Sequence, residues 1–284
     1  MQPTFTKFHG LGNDYLVIEA DELADVVDPG AFAKRICDRH YGAGGDGIAI
    51  IGKAEPSEAD FRCRIFNPDG SEAGLSGNGT RCAVAYLYYK NLWTKDQLRL
   101  ITRTGLKRYF LRGQSGPGKF LFESELGQPK LDPPSIPMTV ESPMDQVIGY
   151  PLSVGTETFL VTAMQMGNPM CCIFVNDFDS LDWRRIGKAI ENHNQFPDRT
   201  NVVFVRVTDR KVLELRIWER GVGETTASGT CSCGGAIAAM VNNKADREVR
   251  VVMEGGEVQI RWREDNEVVI TGTAEVVYTG KWLA

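Results

Sequence analysis

Two stretches of the chain place a serine and a glycine directly before an apolar helical segment: Ser76-Gly77 and Ser228-Gly229. A helix N-terminus carries backbone N–H groups that have no intrahelical acceptor, together with the positive end of the helix dipole, so it binds anions. A glycine beside it lets a ligand approach the backbone closely. A carboxylate held by both N-termini would have a hydroxyl on each side of its neighbouring carbon. The repeated stretch therefore predicts a two-sided site.

Ordinary helix capping is the simpler interpretation of each stretch, because serine is a preferred N-cap residue. The two copies also share their flanks, however. Asp69-Gly70 precedes the first and Glu219-Arg220-Gly221 precedes the second, and each is an acidic turn with a glycine. Capping alone explains two matched copies less easily than it explains one.

The composition is that of an ordinary globular protein, with 42% hydrophobic and 24% charged residues among 284. The net charge of −5 and the lack of a Lys/Arg run give no support to a nucleic-acid or anionic-membrane partner. We find no signal segment or membrane span and expect a soluble, cytoplasmic protein. Seven cysteines, an odd number, indicate reduced thiols in the core, and with three histidines we expect no metal.

The pattern of elements predicts an α+β protein built from two similar lobes. Each half has the order strands, acidic turn, Ser-Gly, buried helix, strands, which gives mostly antiparallel strands with one central helix per half. A proline-rich stretch at residues 127–143 marks the best boundary. We expect an N-terminal lobe over residues 1–128, completed by a final strand near 266–284, and a C-terminal lobe over 129–265. Residues 166–170 are expected to interrupt a strand.

Several motifs, in their order, resemble those of the diaminopimelate epimerase family, and the resemblance spans nearly the whole chain. Any one motif would be weak, but together they are specific. They read HGLGND at residues 9–14, RHYGAGGDG at 39–47, NPDGS at 67–71, GNG at 77–79, MGNP at 166–169, FPDRTN at 196–201 and ERGVGET at 219–225.

The resemblance implies a fold and an activity. The fold is two barrel-like lobes, each around a central helix, with the site between them. The activity is that of an isomerase, a cofactor-independent amino-acid racemase of lysine and amino-acid biosynthesis. It would convert LL- to meso-diaminopimelate by two-base proton transfer at Cα. A homodimer is an expectation from the family.

The resemblance also implies which residues contact the substrate. The backbone at Gly77, Asn78, Gly229 and Thr230 would hold the α-carboxylate, in agreement with the argument from helix N-termini. The remaining substrate ligands would be Asn13, Asn67, Asn168, Asn201, Glu219 and Arg220.

The chain departs from the family where the proton transfer takes place. The family uses two cysteines, but this chain has Ser76 and Ser228 there, and Met170 where the family has histidine. A thiol titrates near 8.5 and lower at a helix N-terminus, whereas a hydroxyl titrates far higher. Glu219 is the retained carboxylate that could accept a proton, so the candidate catalytic residues are Ser76, Ser228 and Glu219.

Three interpretations stay open at this stage. The chain could be an epimerase whose two cysteines were replaced to trap a ligand, although such a design gives no reason for Met170. It could be a divergent isomerase or dehydratase that uses Glu219 in place of thiols. It could also be a non-catalytic amino-acid-binding homologue that keeps the carboxylate site.

Overall fold

The computed structural model describes residues 2–283. The chain divides into two compact units. The first contains the chain up to Glu125 and again from Thr271 onward, and the second is Leu126–Ile270. The predicted α+β fold with two lobes is confirmed.

In the first unit, a ring of eight strands surrounds one helix. Strands β1, β2, β3, β4, β6, β7, β8 and β17 pair in that order, and β17 pairs back with β1. The central helix packs against the first four of these strands. The elements are β1 (Thr4–Gly10), β2 (Asn13–Glu19), α1 (Pro29–Ile36), β3 (Gly47–Lys53), β4 (Phe61–Phe66), β5 (Glu72–Ala73), α2 (Gly77–Tyr89), β6 (Gln97–Thr102), β7 (Gly105–Gly116), β8 (Lys119–Gly127) and β17 (Val268–Lys281).

Helix α2 is buried from Gly77 through Tyr88 because it is apolar on nearly every face. It nevertheless carries Arg81, whose side chain is fully buried. The guanidinium donates from Nε to the carbonyl of Thr273, 2.9 Å away. Gly10 leaves room for it, since a Cβ there would lie 2.8 Å from Arg81 Nη2. A buried charge with such close neighbours fixes the rotation of the helix inside its ring.

The second unit wraps a mixed sheet around helix α4. The sheet order is β9, β10, β11, β12, β13, β15, β16, with β14 paired to β13. Helix α4 is buried from Gly229 to Met240 and packs on β10, β11, β12 and β16. The elements are β9 (Tyr150–Val154), β10 (Glu157–Met166), β11 (Asn168–Phe174), α3 (Trp183–Glu191), β12 (Asn201–Asp209), β13 (Val212–Glu219), β14 (Gly223–Thr225), α4 (Gly229–Val241), β15 (Glu248–Met253) and β16 (Gly256–Trp262).

The predicted break at residues 166–170 is wrong in extent. Strand β10 runs to Met166, β11 starts at Asn168, and these two residues pair with each other. Gly167 alone makes the turn, with a φ of 77° that glycine adopts without strain. The turn therefore places Asn168 and Met170 on a regular strand rather than in a loop.

Within the described residues 2–283, no helix has the length and apolar character that a bilayer crossing requires. All seven cysteines lie within this range and are buried free thiols, as the odd count predicts.

Candidate active site

Ser76 closes the N-terminus of α2 with both its side chain and its backbone. Its Oγ accepts a hydrogen bond from the Gly79 N–H at 3.0 Å. Its carbonyl accepts the Thr80 N–H at 2.9 Å and the Thr80 hydroxyl at 2.7 Å. The amides of Gly77 and Asn78 belong to the first turn, where a helix has no acceptor of its own to offer. They are available for an anion.

Ser228 begins α4 in nearly the same way. Its carbonyl accepts the Ser232 N–H at 3.0 Å and the Ser232 hydroxyl at 2.7 Å. In each helix, the hydroxyl of the residue four positions after the serine thus donates a hydrogen bond to the serine carbonyl. The copies differ in one bond, because within the described chain Ser228 Oγ accepts no N–H of its own helix. The matched backbone geometry agrees with the duplication seen in the sequence.

The one differing bond gives a stability prediction. We expect Ser76→Ala to lower the free energy of unfolding by about 1 kcal/mol, because it removes a side-chain cap. Ser228→Ala should cost less, since it removes a weak hydrogen bond with the Cys231 thiol rather than a cap to a backbone N–H. Urea unfolding at neutral pH measures both, with Ser57→Ala on the exposed surface as the control. Equal losses at positions 76 and 228 would contradict the difference between the two caps.

At the start of α2, side-chain amides form a chain of hydrogen bonds that all run in the same direction. Arg81 Nη2 donates to Asn78 Oδ1. Asn78 Nδ2 donates to Asn13 Oδ1 at 3.2 Å, and Asn13 Nδ2 donates to Asp46 Oδ2 at 2.8 Å. A cation at one end and a carboxylate at the other orient both amides the same way. Asn13 and Asn78, predicted as substrate ligands, are therefore brought together with their donor and acceptor ends defined.

Asp46 is tied in turn to Asp14 and its cations. Lys7 Nζ lies 2.7 Å from Asp14 Oδ2, and Arg39 Nη2 lies 2.8 Å from a carboxylate oxygen of each aspartate. Burial alone would raise the pKa of Asp14. The hydrogen bonds and charges of Arg39 and Lys7 outweigh burial and lower that pKa to about 2.

This lowered pKa predicts a loss of stability in acid. A carboxyl with a depressed pKa in the folded state stabilises the protein above its unfolded pKa, near 3.9. Asp14 should therefore contribute about 2 kcal/mol at neutral pH, lost as the pH falls from about 4 towards 2. Urea unfolding of the wild type and Asp14→Asn should show a gap that closes in this window. Asp21→Asn, at an exposed carboxylate, serves as control. A gap independent of pH would refute the assignment.

Asn67 lies in the turn after β4, and its side-chain amide forms its hydrogen bond within that turn. Its Nδ2 donates to Ser71 Oγ at 2.9 Å, and its N–H donates to the Ser71 carbonyl at 2.9 Å. Asp69 accepts from both the N–H and the hydroxyl of Ser71. The turn is therefore well ordered, but these bonds do not join Asn67 to the pair formed by Asn13 and Asn78.

In the second unit, the predicted ligands follow one another across neighbouring strands. Asn168 begins β11 and Asn201 begins β12, and Met170 is the Cα partner of Asn201. Asn201 Oδ1 accepts the Arg220 N–H at 2.8 Å. Arg220 Nη1 donates to the Asp198 carbonyl at 2.9 Å. Asn201 and Arg220 are thus in contact, and the amide fixes the turn that carries the guanidinium.

Glu219 ends β13 and faces the segment that leads to α4. Its Oε1 accepts a hydrogen bond from the Thr225 hydroxyl at 3.1 Å. Ser228 follows three residues later and is 8% exposed. The unit therefore carries a carboxylate and a nearly buried hydroxyl on one short stretch of chain.

Comparison with known proteins decides the family. The profile of diaminopimelate epimerase matches residues 5–124 and 162–277. The diaminopimelate epimerase of Pelotomaculum thermopropionicum is 40% identical over 279 residues, which is 98% of each chain. That of Desulforudis audaxviator is 40% identical over 282 residues, 98% of this chain and 99% of the relative. The chain belongs to the diaminopimelate epimerase family. The predicted family, and with it the isomerase class and an amino-acid epimerase, are confirmed.

Solved structures of low identity share the fold of this family member. A Bacillus anthracis phenazine biosynthesis protein of the PhzF family has a TM-score of 0.70 at 20% identity, covering 100% of both chains. A hydroxyproline epimerase from Agrobacterium vitis, solved with trans-4-hydroxy-L-proline, has a TM-score of 0.71 at 11% identity. It covers 99% of this chain and 92% of its own. At these identities the likeness supports the architecture.

Met170, which the family resemblance places at the position of a histidine, is fully buried. A Cβ added at Gly234 of α4 would lie 2.6 Å from Met170 Sδ. The thioether therefore packs directly on the backbone of the second central helix. It supplies close packing there, but it has no proton to donate or accept at neutral pH.

The two thiols nearest in sequence to these serines, Cys82 and Cys231, are poor proton acceptors at neutral pH. Burial raises the pKa of Cys231 well above its usual value, the charge of Glu219 adds to this, and a hydrogen bond with Ser228 lowers it in part. Burial likewise raises the pKa of Cys82 to about 12. Both thiols are neutral at pH 7, so neither acts readily as a base.

Two carboxylates beside predicted site residues, one in each unit, were not singled out from the sequence. Asp46 was visible only as part of a glycine-rich loop, and nothing in that loop showed that it would orient Asn13. Glu191 is the C-terminal residue of α3, and its partners come from elsewhere in the chain. The available signal was a glutamate on an amphipathic helix, but the sequence alone does not tell a buried glutamate from an exposed one.

Proposed function

We propose that the chain inverts the configuration at Cα of diaminopimelate, converting the LL to the meso isomer without a cofactor. The observation that carries the proposal is the pair of matched helix starts, at Ser76 and Ser228, in a member of this family. Each presents first-turn amides and a hydroxyl, so each offers an anion site beside a group that can exchange a proton.

The substrate would be recognised at both of its ends. The α-carboxylate binds the amides of Gly77 and Asn78 and those of Gly229 and Thr230. The second carboxylate binds Arg220, because a guanidinium suits a carboxylate, and the rest of the molecule binds four asparagine amides. Glu219 suits the ammonium on the reacting carbon, beside the proton that it is proposed to accept. The amides in question belong to Asn13, Asn67, Asn168 and Asn201.

The proton transfer must work without thiols. We assign Glu219 as the group that takes the Cα proton through the Ser228 hydroxyl, which receives that proton while passing its own to the carboxylate. Ser76 then gives its hydroxyl proton to the opposite face of the carbanion and regains one from water, while Glu219 releases its proton to water. The Gly79 N–H stabilises the transient oxyanion at Ser76, 3.0 Å away. A helix dipole contributes only about 0.3–2 kcal/mol, so we expect slow turnover.

The family supports two further proposals. A cytoplasmic location fits a small-molecule amino-acid substrate, and a homodimer is expected from the family resemblance. The proposed site residues and proton transfer depend neither on the location nor on a homodimer.

Calorimetry with LL- and meso-diaminopimelate tests the recognition. We expect both isomers to bind, and Arg220→Met to weaken binding by about 10- to 100-fold, the range for a hydrogen bond to a charged group. Arg184→Met is the matched control, because Arg184 is exposed and pairs with Glu224. If the folded wild type binds neither isomer at millimolar concentration, the proposed substrate is wrong. If Arg184→Met weakens binding as much as Arg220→Met, the assigned role of Arg220 is wrong.

A further inference from the structure

Glu191 is a buried carboxylate in an unfavourable place. It is the last residue of α3 and only 6% exposed. The C-terminus of a helix carries negative partial charge, and burial removes the water that a carboxylate needs. A carboxylate persists there only if hydrogen-bond donors replace that water.

Three donors meet the two oxygens of Glu191. Trp218 Nε1 donates to Oε2 at 2.8 Å, and the Gly221 N–H donates to Oε1 at 2.8 Å. Arg199 Nη1 lies 3.2 Å from Oε1. Trp218 and Gly221 flank Glu219 and Arg220 in the chain, so one carboxylate holds both ends of the segment that carries the proposed substrate ligands.

Three successive backbone amides of this segment each donate a hydrogen bond. The Arg220 N–H is held by Asn201 Oδ1, and the Val222 N–H by the Glu219 carbonyl at 3.1 Å. The Gly221 N–H between them depends on Glu191. Gly221 has a φ of 77°, and its backbone has the wide conformational freedom of glycine. The most flexible residue of the turn is therefore held by the buried carboxylate.

Helix α3 also packs tightly against the indole. A Cβ at Gly187, one turn before Glu191, would lie 2.8 Å from Trp218 Cβ. The close approach keeps the ring within reach of Oε2. Packing and hydrogen bonding thus act on the same residue from the same helix.

We infer that Glu191 is a positioning residue that fixes the Trp218–Gly221 segment, so that Glu219 and Arg220 point in one direction before the ligand arrives. Preorganised ligands lower the ordering cost of binding, so loss of Glu191 should weaken substrate affinity. The role of Glu219 and Arg220 in binding rests on the proposed function, whereas the fixing of the segment does not.

Glu191→Gln is the first test. Glutamine has the same shape but presents an NH₂ either to Trp218 Nε1–H or to the Gly221 N–H and Arg199. We expect the donor that faces the NH₂, the Gly221 amide or the Trp218 indole N–H, to exchange with solvent about tenfold faster by NMR, and the Kd for meso-diaminopimelate to rise about tenfold. Glu191→Asp keeps both oxygens and should recover part of the affinity. Glu157→Gln is the control, since Glu157 pairs with Arg185 on the exposed face of α3.

Each outcome bears on one part of the inference. Unchanged exchange of both the Gly221 amide and the Trp218 indole N–H in folded Glu191→Gln would overturn it, and Glu191→Asp decides the matter if the glutamine variant does not fold. Faster exchange with unchanged Kd would reduce Glu191 to a structural residue and overturn the positioning role. A wild type that does not bind diaminopimelate would refute the proposed function, while the exchange data would still decide whether Glu191 holds the segment.

Discussion

Replacing Ser76 and Ser228 together by cysteine is expected to raise kcat/KM for LL-diaminopimelate by about 10²–10⁴-fold, the usual range for general acid–base catalysis. A thiol titrates near 8.5, and a helix N-terminus lowers that value towards neutrality. Both serines begin helices, and Ser76 Oγ already accepts the Gly79 N–H, which would stabilise a thiolate. Initial rates of isomer conversion measure the effect. Each single variant should gain far less, because inversion needs a proton group on each face.

Ser57→Cys serves as the control, since it adds an exposed thiol away from the helix starts. A double variant that folds and binds substrate but gains no rate would show that the thiols are not the missing catalytic part. Met170 would then be the next residue to substitute, because the resemblance implies a histidine at this position and Met170 packs against α4 at Gly234.

Glu219→Gln is expected to lower kcat in the wild-type background by about 10²–10⁴-fold. Glu219 is the proposed proton acceptor, and glutamine keeps an oxygen for the Thr225 hydroxyl while removing the charge. Steady-state kinetics with either isomer of diaminopimelate measures the loss. In the background of the two cysteines the same change should affect kcat far less, because the thiols then carry the proton.

Glu224→Gln is the matched control for this experiment. Glu224 lies five residues further on and pairs with exposed Arg184, so its charge is lost without touching the proposed proton path. Full activity of Glu219→Gln would remove Glu219 as base, and an equal loss in both backgrounds would make it a binding residue instead.

The sequence predicted those parts of the fold that depend on local patterns. The Ser-Gly starts of α2 and α4 follow from capping and from apolar helices, and the structure begins them at Gly77 and Gly229. The hairpin of β1 and β2 follows from two apolar strands about a glycine turn. Strand β9 leaves a weak signal in the sequence because it is short and contains Pro151, which removes a backbone donor. The break at residues 166–170 was overestimated because Gly167 turns the chain by itself.

The residues of the candidate site were predictable where they lie in recognisable sequence motifs, whereas the contacts between them were not. Asn13 and Asn78 were expected as ligands, but their mutual contact and the orientation set by Arg81 and Asp46 arise only when distant segments meet. Glu191 illustrates the same limit, since its donors come from residues 199, 218 and 221. Hydrogen bonds between distant segments leave no periodic signal in a sequence.

The proposed proton transfer can be followed by solvent exchange at Cα. The wild-type protein is placed in D₂O with LL- and with meso-diaminopimelate, and both the Cα proton and the configuration are followed by NMR. We expect slow deuterium uptake with inversion, because in the proposed mechanism Ser76, Ser228 and Glu219 together move a proton to and from opposite faces of Cα. Binding of either isomer without any deuterium uptake would contradict it, and would leave a carboxylate site that has lost its catalyst.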